Sequence, residues 1–317
     1  MADAIVVTYK SRDEIVACLE PLLEAGLRVH LVDNAPGDGT VDLVRDRFPA
    51  VDVIANPDNR GFPAAVNQGF ARVSGDAVLL VNPDCVVPPA TARALVEYLE
   101  QNPDVGVVGP RLRAADDSVT ISARPLDSFG NLLANRARRV LPVGFSRALG
   151  RTERWRSYDV CLEGTEPEEV GMMIAACVAV RSSLLRRLGG LDEGYFMYCE
   201  DMELCLQSWQ AGAKVVYLPT VEARHTGGAS SGDRSHVWPI HSRSLLRFHA
   251  RHRPRTFQLV RLALLGRAMV GMGVGAAQDT AAAAHGGPRR HKGRAWARVA
   301  RITLTESKRS LAAGRSR

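Results

Sequence analysis

Apolar residues in the first hundred positions fall into two alternating kinds of run. Ala4–Thr8 (AIVVT), Val29–Val32 (VHLV), Val51–Ala55 (VDVIA) and Ala77–Val81 (AVLLV) are short and nearly continuous, the pattern of strands buried on both faces. Between the first two, SRDEIVACLEPLLEAG places Ile15, Cys18, Leu19, Leu22 and Leu23 at helical spacing and stops at Gly26. TVDLVRDRF and PAAVNQGFARVSG predict the next two helices. This alternation predicts an α/β fold with a mostly parallel central sheet covered on both sides. Such sheets meet ligands beyond the carboxyl ends of their strands. Those ends read Thr8-Tyr9, Asp33-Asn34 and Asn82-Pro83-Asp84, so polar residues gather at one edge.

Farther along, residues 111–170 are rich in Arg and Pro and predict loops around a ligand site. Ile174–Val180 (IAACVAV) resumes a buried strand, SSLLRRLGG forms a short helix ended by glycines, and EDMELCLQSWQAG a longer one. KVVYL predicts a strand that ends at Pro219. Phe257–Ala277 is apolar but broken by Arg261, Arg267 and glycines, which makes it a poor spanning helix. Beyond it, Arg294, Arg298, Arg301 and Lys308 fall on one face of a predicted helix, with Trp296, Val299 and Ile302 off that face. Such a face suits an anionic membrane surface or simply solvent.

Composition adds a boundary and a compartment. A chain of 317 residues with 46% hydrophobic and 24% charged residues can bury a full core. Residues 246–317 carry 16 Arg or Lys against 2 acids, a net of +14; the whole chain is +7, which leaves residues 1–245 at −7. The expected division is therefore a domain over 1–245 and a basic helical tail over 246–317. The N-terminus has no basic region before an apolar core, so no secretory leader is expected. Six scattered cysteines without a Cys-x-x-Cys pair predict reduced thiols, no structural zinc and a cytoplasmic setting.

Three stretches carry candidate chemistry. In VLLVNPDCVVP, Asp84 closes a buried strand behind a proline, where ordinary turn chemistry competes with ligand binding. In GGLDEGYFMYCEDMELCLQSW, Glu200 and Asp201 open a helix whose dipole favours acids, so capping alone would explain them. The preceding Tyr195, Phe196 and Tyr198 suggest aromatic walls that suit sugar faces and desolvate a carboxylate. In EARHTGGASSG, His225 follows a strand and precedes a glycine-rich loop; it gains meaning as a metal ligand only if Asp84 lies nearby.

The order Thr-Tyr after strand one, Asp closing strand two, NRGFPAAVNQG, NPD, GGLDEGYFMYCED and RHTGGAS resembles the family 2 inverting glycosyltransferases of GT-A fold, particularly bacterial rhamnosyltransferases. The resemblance covers residues 4–250 and implies a GT-A nucleotide-sugar-binding domain. It implies transfer of rhamnose from dTDP-rhamnose to a polyprenyl-diphosphate-linked N-acetylglucosaminyl acceptor, on the cytoplasmic face of a membrane. By position it implies nucleotide contacts at Thr8 and Tyr9, base reading by Asp33, and a donor cleft lined by Asn59, Arg60, Gly61 and Asn67. The family's Asp-x-Asp metal motif falls on Asn82-Pro83-Asp84, its base on Asp201 with Glu200 beside it, and its late metal or diphosphate histidine on His225. Asn82 departs from the motif: it can hydrogen-bond a ribose but adds no charge. A divalent metal, Mg²⁺ or Mn²⁺, would then rest on Asp84, His225 and the donor's own diphosphate.

Other classes compete less well. A family 2 transferase using a UDP-sugar and a soluble or natural-product acceptor fits the same motifs. A nucleic-acid binder would need interleaved aromatics in the tail and a less acidic body. A dehydrogenase would need Gly-x-Gly-x-x-Gly after strand one, which is absent.

Overall fold

The computed structural model describes residues 2–126, 164–226, 234–284 and 292–313. They form two compact units: residues 1–192 with 200–230, and residues 193–199 with 231–317. The expected boundary at 245 therefore falls too late, and the reason is physical. Helix α7 (Trp238–His252) is continuous through residue 245 and holds the 193–199 segment. Ser244 Oγ donates to Met197 O at 2.8 Å, and the Arg247 guanidinium lies 5.1 Å from the Tyr195 ring centre.

The first unit is built on a ten-stranded mixed sheet. Strands β1 (Asp3–Thr8), β2 (Arg28–Asp33), β3 (Asp52–Ala55) and β4 (Ala77–Val81) run parallel in the order β3-β2-β1-β4. Helices α1 (Ile15–Glu24), α2 (Thr40–Arg47) and α3 (Phe62–Phe70) make the crossovers, as the periodicity predicts. After β4 come the two-residue β5 (Cys85–Val86), α4 (Pro89–Gln101) and β6 (Val105–Arg113). The order continues β11-β6-β12-β5, where β11 is Cys177–Arg181 and β12 is Lys214–His225. β11 runs antiparallel to both β4 and β6, so the sheet is parallel only in part.

Two expectations for this half change. β12 does not stop at Pro219; it runs on to His225, with its pairing to β6 interrupted between Leu218 and Glu222. Proline cannot donate to a ladder, and the irregularity accommodates it. The span 111–170 is not all loop: β6 extends into it, followed by β7 (Val119–Thr120), β8 (Ala123–Arg124) and β9 (Glu168–Glu169). The rest of that span, 127–163, lies outside the described residues. β10 (Met172–Met173) pairs with β8. Helices α5 (Ser182–Leu188) and α6 (Glu200–Gln210) follow as predicted.

The core is apolar and contiguous: Val6, Ile15, Leu19, Leu31, Leu79, Leu95 and Val108 are all fully buried in one cluster. A buried leucine or isoleucine contributes about 1.5–3 kcal/mol, so the sheet and its helices hold the unit without help from disulfides. Among the described residues, cysteines 18, 85, 177, 199 and 205 are free.

The second unit is helical: α7, α8 (Phe257–Ala284), α9 (Lys292–Thr305) and α10 (Lys308–Ala312). Lys308 leaves the predicted basic face because the helix breaks at Glu306–Ser307, and its ammonium donates to Pro254 O at 3.3 Å. Arg294, Arg298 and Arg301 do share an exposed face of α9. Two other basic residues turn inward instead. Arg247 donates to Leu311 O and Ala313 O, both at 2.8 Å, and Arg261 to Thr303 O at 2.7 Å and Leu304 O at 2.8 Å. Each caps the free carbonyls at a helix C-terminus. Among the described residues one helix, Phe257–Gln278, is long and apolar enough to cross a membrane.

Candidate functional site

Parallel pairing of β1 with β2 sets Thr8 opposite Asp33. The Thr8 hydroxyl donates to Asp33 Oδ1 at 2.7 Å, and the Ala35 N–H donates to Oδ2 at 3.2 Å. Both side chains are fully buried. Burial pushes the Asp33 carboxyl above the usual carboxylate range, opposed by the Thr8 hydrogen bond. The implied nucleotide contact at Thr8 thus becomes a brace that fixes Asp33, and Tyr9, 47% exposed, is the surface this strand end presents.

The loop after β3 is held by amides. Asn34 Nδ2 donates to Gly61 O at 3.3 Å, Asn56 Nδ2 donates to Asn34 Oδ1 at 2.9 Å, and Asn56 and Gln68 exchange two bonds of 2.8 and 2.9 Å. Asn59 Oδ1 accepts from Gly61 N at 2.9 Å, and Gly61 takes φ +83°, a conformation open to glycine, just before α3. Arg60 is exposed and only 3.9 Å from Asp58. Asn67 is held from the other side. Its Nδ2 donates to Leu191 O at 2.9 Å and its Oδ1 accepts from Leu191 N at 2.8 Å. It ties α3 to the segment after the Gly189–Gly190 turn.

Antiparallel pairing of β5 with β12 sets His225 opposite Cys85, next to Asp84. Thr226 N and Oγ1 both donate to Asp84 O at 3.1 Å, and His225 Nε2 lies 3.2 Å from Asp84 Oδ1. Each side chain is about one-fifth exposed. The register therefore brings the histidine to the carboxylate, the condition on which its role depended. Among the described residues no three His, Cys, Asp or Glu side chains form a metal cage. A carboxylate oxygen with an imidazole nitrogen beside it fits a divalent ion whose remaining ligands are diphosphate oxygens and water.

The acidic pair sits at the start of α6. Two successive non-glycine residues, Tyr198 and Cys199, take φ of +69° and +66° immediately before Glu200. Each such residue costs of order 1–3 kcal/mol, so the entry to α6 is held against backbone preference. Glu200 is 8% exposed, its Oε2 has no hydrogen-bond partner, and burial together with the neighbouring Asp201 charge pushes its carboxyl up to about 8. Asp201 is partly exposed; burial pushes it above the usual range, opposed by Arg124 and by N–H bonds from Met202 (2.8 Å) and Ala175. Capping accounts for only part of Glu200, whose carboxyl meets its own backbone N–H while Oε2 is left without a partner.

One dipeptide joins the two acidic sites. The Ala175 N–H faces the Asp201 carboxylate and opposes the rise in its pKa, while Ala176 C=O accepts from Asn82 N at 2.9 Å. The pairing of Cys177 with Val81 sets this link, since it lays the segment before β11 against the end of β4. The aromatic approach behaves otherwise: Tyr195 is 1% exposed beneath Arg247, Tyr198 packs edge-on against His241 at 5.6 Å, and Phe196 alone of the three is 40% exposed. Tyr195 is thereby committed to the packing of the second unit.

Sequence reasoning missed Arg124, Asn56 and Gln68. Arg124 lies on the two-residue β8, too short for a periodic signal, and reaches Asp201 only through long-range folding. Asn56 follows β3 and Gln68 lies within α3, where the sequence offers only their polarity.

Comparisons with known proteins add a lineage. The profile of glycosyl transferase family 2 matches residues 3–189. The N-acetylglucosaminyl-diphospho-decaprenol L-rhamnosyltransferase of Mycobacterium tuberculosis is 32% identical over 266 residues, spanning 78% of this chain and 84% of its own. Rhamnosyltransferase WbbL of Escherichia coli is 40% identical over 77 residues, 23% of this chain and 28% of its own. Among solved structures, mannosyltransferase PcManGT from Pyrobaculum calidifontis, in complex with GDP-Man and Mn²⁺, superposes with TM-score 0.52 at 19% identity, covering 96% of this chain and 86% of that one. Staphylococcus aureus TarS 1–349 superposes with TM-score 0.51 at 14% identity, over 78% of this chain and 64% of that one. The two structures speak to the fold.

Proposed function

The chain belongs to glycosyl transferase family 2 and is a glycosyltransferase; from that premise we propose that it moves rhamnose, with inversion, from dTDP-rhamnose to a hydroxyl of a polyprenyl-diphosphate-linked N-acetylglucosaminyl acceptor. The sugar and acceptor follow the relative that shares 32% identity over 266 residues. The observation that carries the chemistry is the Ala175–Ala176 link, which keeps the Asp201 carboxylate and the Asn82-Pro83-Asp84 turn within one dipeptide of each other.

The roles follow from charge. As the sugar departs, negative charge grows on the diphosphate and the anomeric carbon gains oxocarbenium character. Asp84 and His225 would hold a divalent ion against that diphosphate, and the ion would supply Lewis-acid neutralisation of the leaving group. Asp201 takes the proton of the attacking hydroxyl. Its desolvation raises its basicity, a rise opposed by Arg124 and by backbone N–H groups. Glu200, largely protonated below pH 8, adds no second charge beside the base. Tyr9, Asn59, Arg60 and Gly61 line the approach of the nucleotide, braced by the amide network behind them. A single base and no nucleophile give inversion without a covalent enzyme intermediate.

The test is Asp201→Asn. Transfer should fall about 10²–10⁴-fold, the usual weight of a general base, with dTDP affinity within threefold of wild type. Unchanged turnover would remove the assignment. A panel of dTDP- and UDP-sugars, read by nucleotide release, tests the donor separately: release from a UDP-sugar but not from dTDP-rhamnose would overturn the donor and leave the base intact.

A further inference from the structure

Helix α8 carries apolar residues on two faces, and among the described residues only one of them is covered. On the inward face Phe257, Val260, Leu264 and Ala268 are buried. A Cβ at Gly271 would meet the Trp296 ring at 2.5 Å, and one at Gly275 would meet Gly293 N at 2.6 Å, so these glycines let α9 approach closely. On the outward face Leu259, Leu262, Met269, Val270 and Val274 are 47–68% exposed, with open space above Gly266 and Gly273. Their spacing of three and four residues makes one stripe along the helix. Between Phe257 and Gln278 the only charges are Arg261, turned inward onto α9, and Arg267, placed 5.0 Å from the Trp296 ring. The stripe is therefore uncharged, and its area, on the order of 500 Å², is at the upper end of what monomeric proteins expose.

Charge decides what covers it. The helix is flanked in sequence by Arg251, Arg253 and Arg255 before it and by Arg289, Arg290 and Lys292 after it, within a region of net +14. A second copy would bring the same excess against itself. An anionic lipid surface supplies both the apolar layer and the opposite charge. Because the inward face is already packed on α9, one stripe and not the whole circumference is open to lipid. That geometry suits a helix lying in the interface plane and not one that crosses.

We propose that the outward face of α8 docks this protein on an anionic membrane surface, with Leu259, Leu262, Met269, Val270 and Val274 entering the acyl boundary. The inference stands on α8 alone; it would give the proposed lipid-linked acceptor its meeting place. The experiment is vesicle co-flotation of the full chain and of Leu262→Gln/Met269→Gln/Val270→Gln, a variant that leaves net charge unchanged. It uses phosphatidylcholine vesicles with and without 30% phosphatidylglycerol. Wild type should bind the anionic vesicles at least tenfold better than the neutral ones, and the triple variant should lose at least tenfold on the anionic vesicles. Its circular-dichroism melt, and its turnover of a water-soluble short-chain acceptor, should match wild type. Equal flotation of variant and wild type would overturn the proposal. So would a wild type that ignores vesicles but self-associates through these residues. Retained flotation behaviour with no turnover of any donor would instead strike the activity reading and leave this one standing.

Discussion

The two edges of the central sheet treat charge in opposite ways. At the opening edge, where strands begin, the fully buried Asp3 accepts from Arg28 Nη2 (2.9 Å), Gly75 N (2.7 Å) and shares His30 Nε2 (3.0 Å). His30 bridges on to Asp52 at 3.0 Å, and Asp52 also meets Arg72. Asp3 and Asp52 each have a base there. At the closing edge Asp33, Glu200 and Asp201 are all pushed above the ordinary carboxylate range by burial, and one oxygen of Glu200 has no partner. A fold that satisfies Asp3 so fully could have neutralised these acids as well. The difference fits the proposed function, in which the closing edge receives groups that arrive with a ligand. An orphan alone does not mark a site, since both nitrogens of the buried His249 in α7 are unpartnered too. What distinguishes the closing edge is that Asp201 and the Asn82-Pro83-Asp84 turn both meet the Ala175–Ala176 link.

The sharpest way to break this contrast is to remove Asp3. Asp3→Ala leaves Gly75 N–H and His30 Nε2 without their buried acceptor, and leaving such groups unsatisfied costs about 1–3 kcal/mol. Urea denaturation should show that loss, while dTDP affinity at the other edge stays within twofold. A large change in affinity with little loss of stability would mean that the two edges are not separate in role.

A smaller effect belongs to Glu200. Its carboxyl titrates near 8 in the folded chain and near 4.5 when unfolded. The folded state therefore binds more protons, so this group's contribution is fully present below about pH 4.5 and is lost as pH rises through 8. Glu200→Gln removes that slope. Its melting temperature should exceed that of wild type at pH 8.5 and approach it at pH 5. A variant that is less stable at both values would show that Glu200 is ionised and paired.

Much of this contrast was legible in the sequence at the level of elements. The strands at 4–8, 29–32 and 77–81 and the helices after them announced themselves because buried parallel strands are continuous in apolar residues. The acids Asp33, Asp84 and Asp201 stood out because each interrupts or follows such a run. The pairing partners could not be read. His225 reaches Asp84 only because β12 continues past Pro219 to pair with β5, and local signals ended that strand at the proline. Arg124 and the Ala175–Ala176 link act through contacts many residues apart, where neither periodicity nor spacing carries information. Tyr195 misled for the opposite reason: its neighbours in sequence are the acids, while its packing partner Arg247 lies 52 positions on. The tie between Asn67 and Leu191 was equally out of reach, because a polar residue on a helix beside a cleft looks the same whether or not it holds a turn.

The claim on which the rest depends is that Asp84 joins a cation to a nucleoside diphosphate at the closing edge. Calorimetric titration of dTDP into wild type and Asp84→Ala, each with Mn²⁺ and with EDTA, tests it most directly. The account predicts that Mn²⁺ tightens binding to wild type at least tenfold and that Asp84→Ala binds equally weakly in both conditions. If the variant keeps the full Mn²⁺ enhancement, the cation is held elsewhere and the site as drawn is wrong.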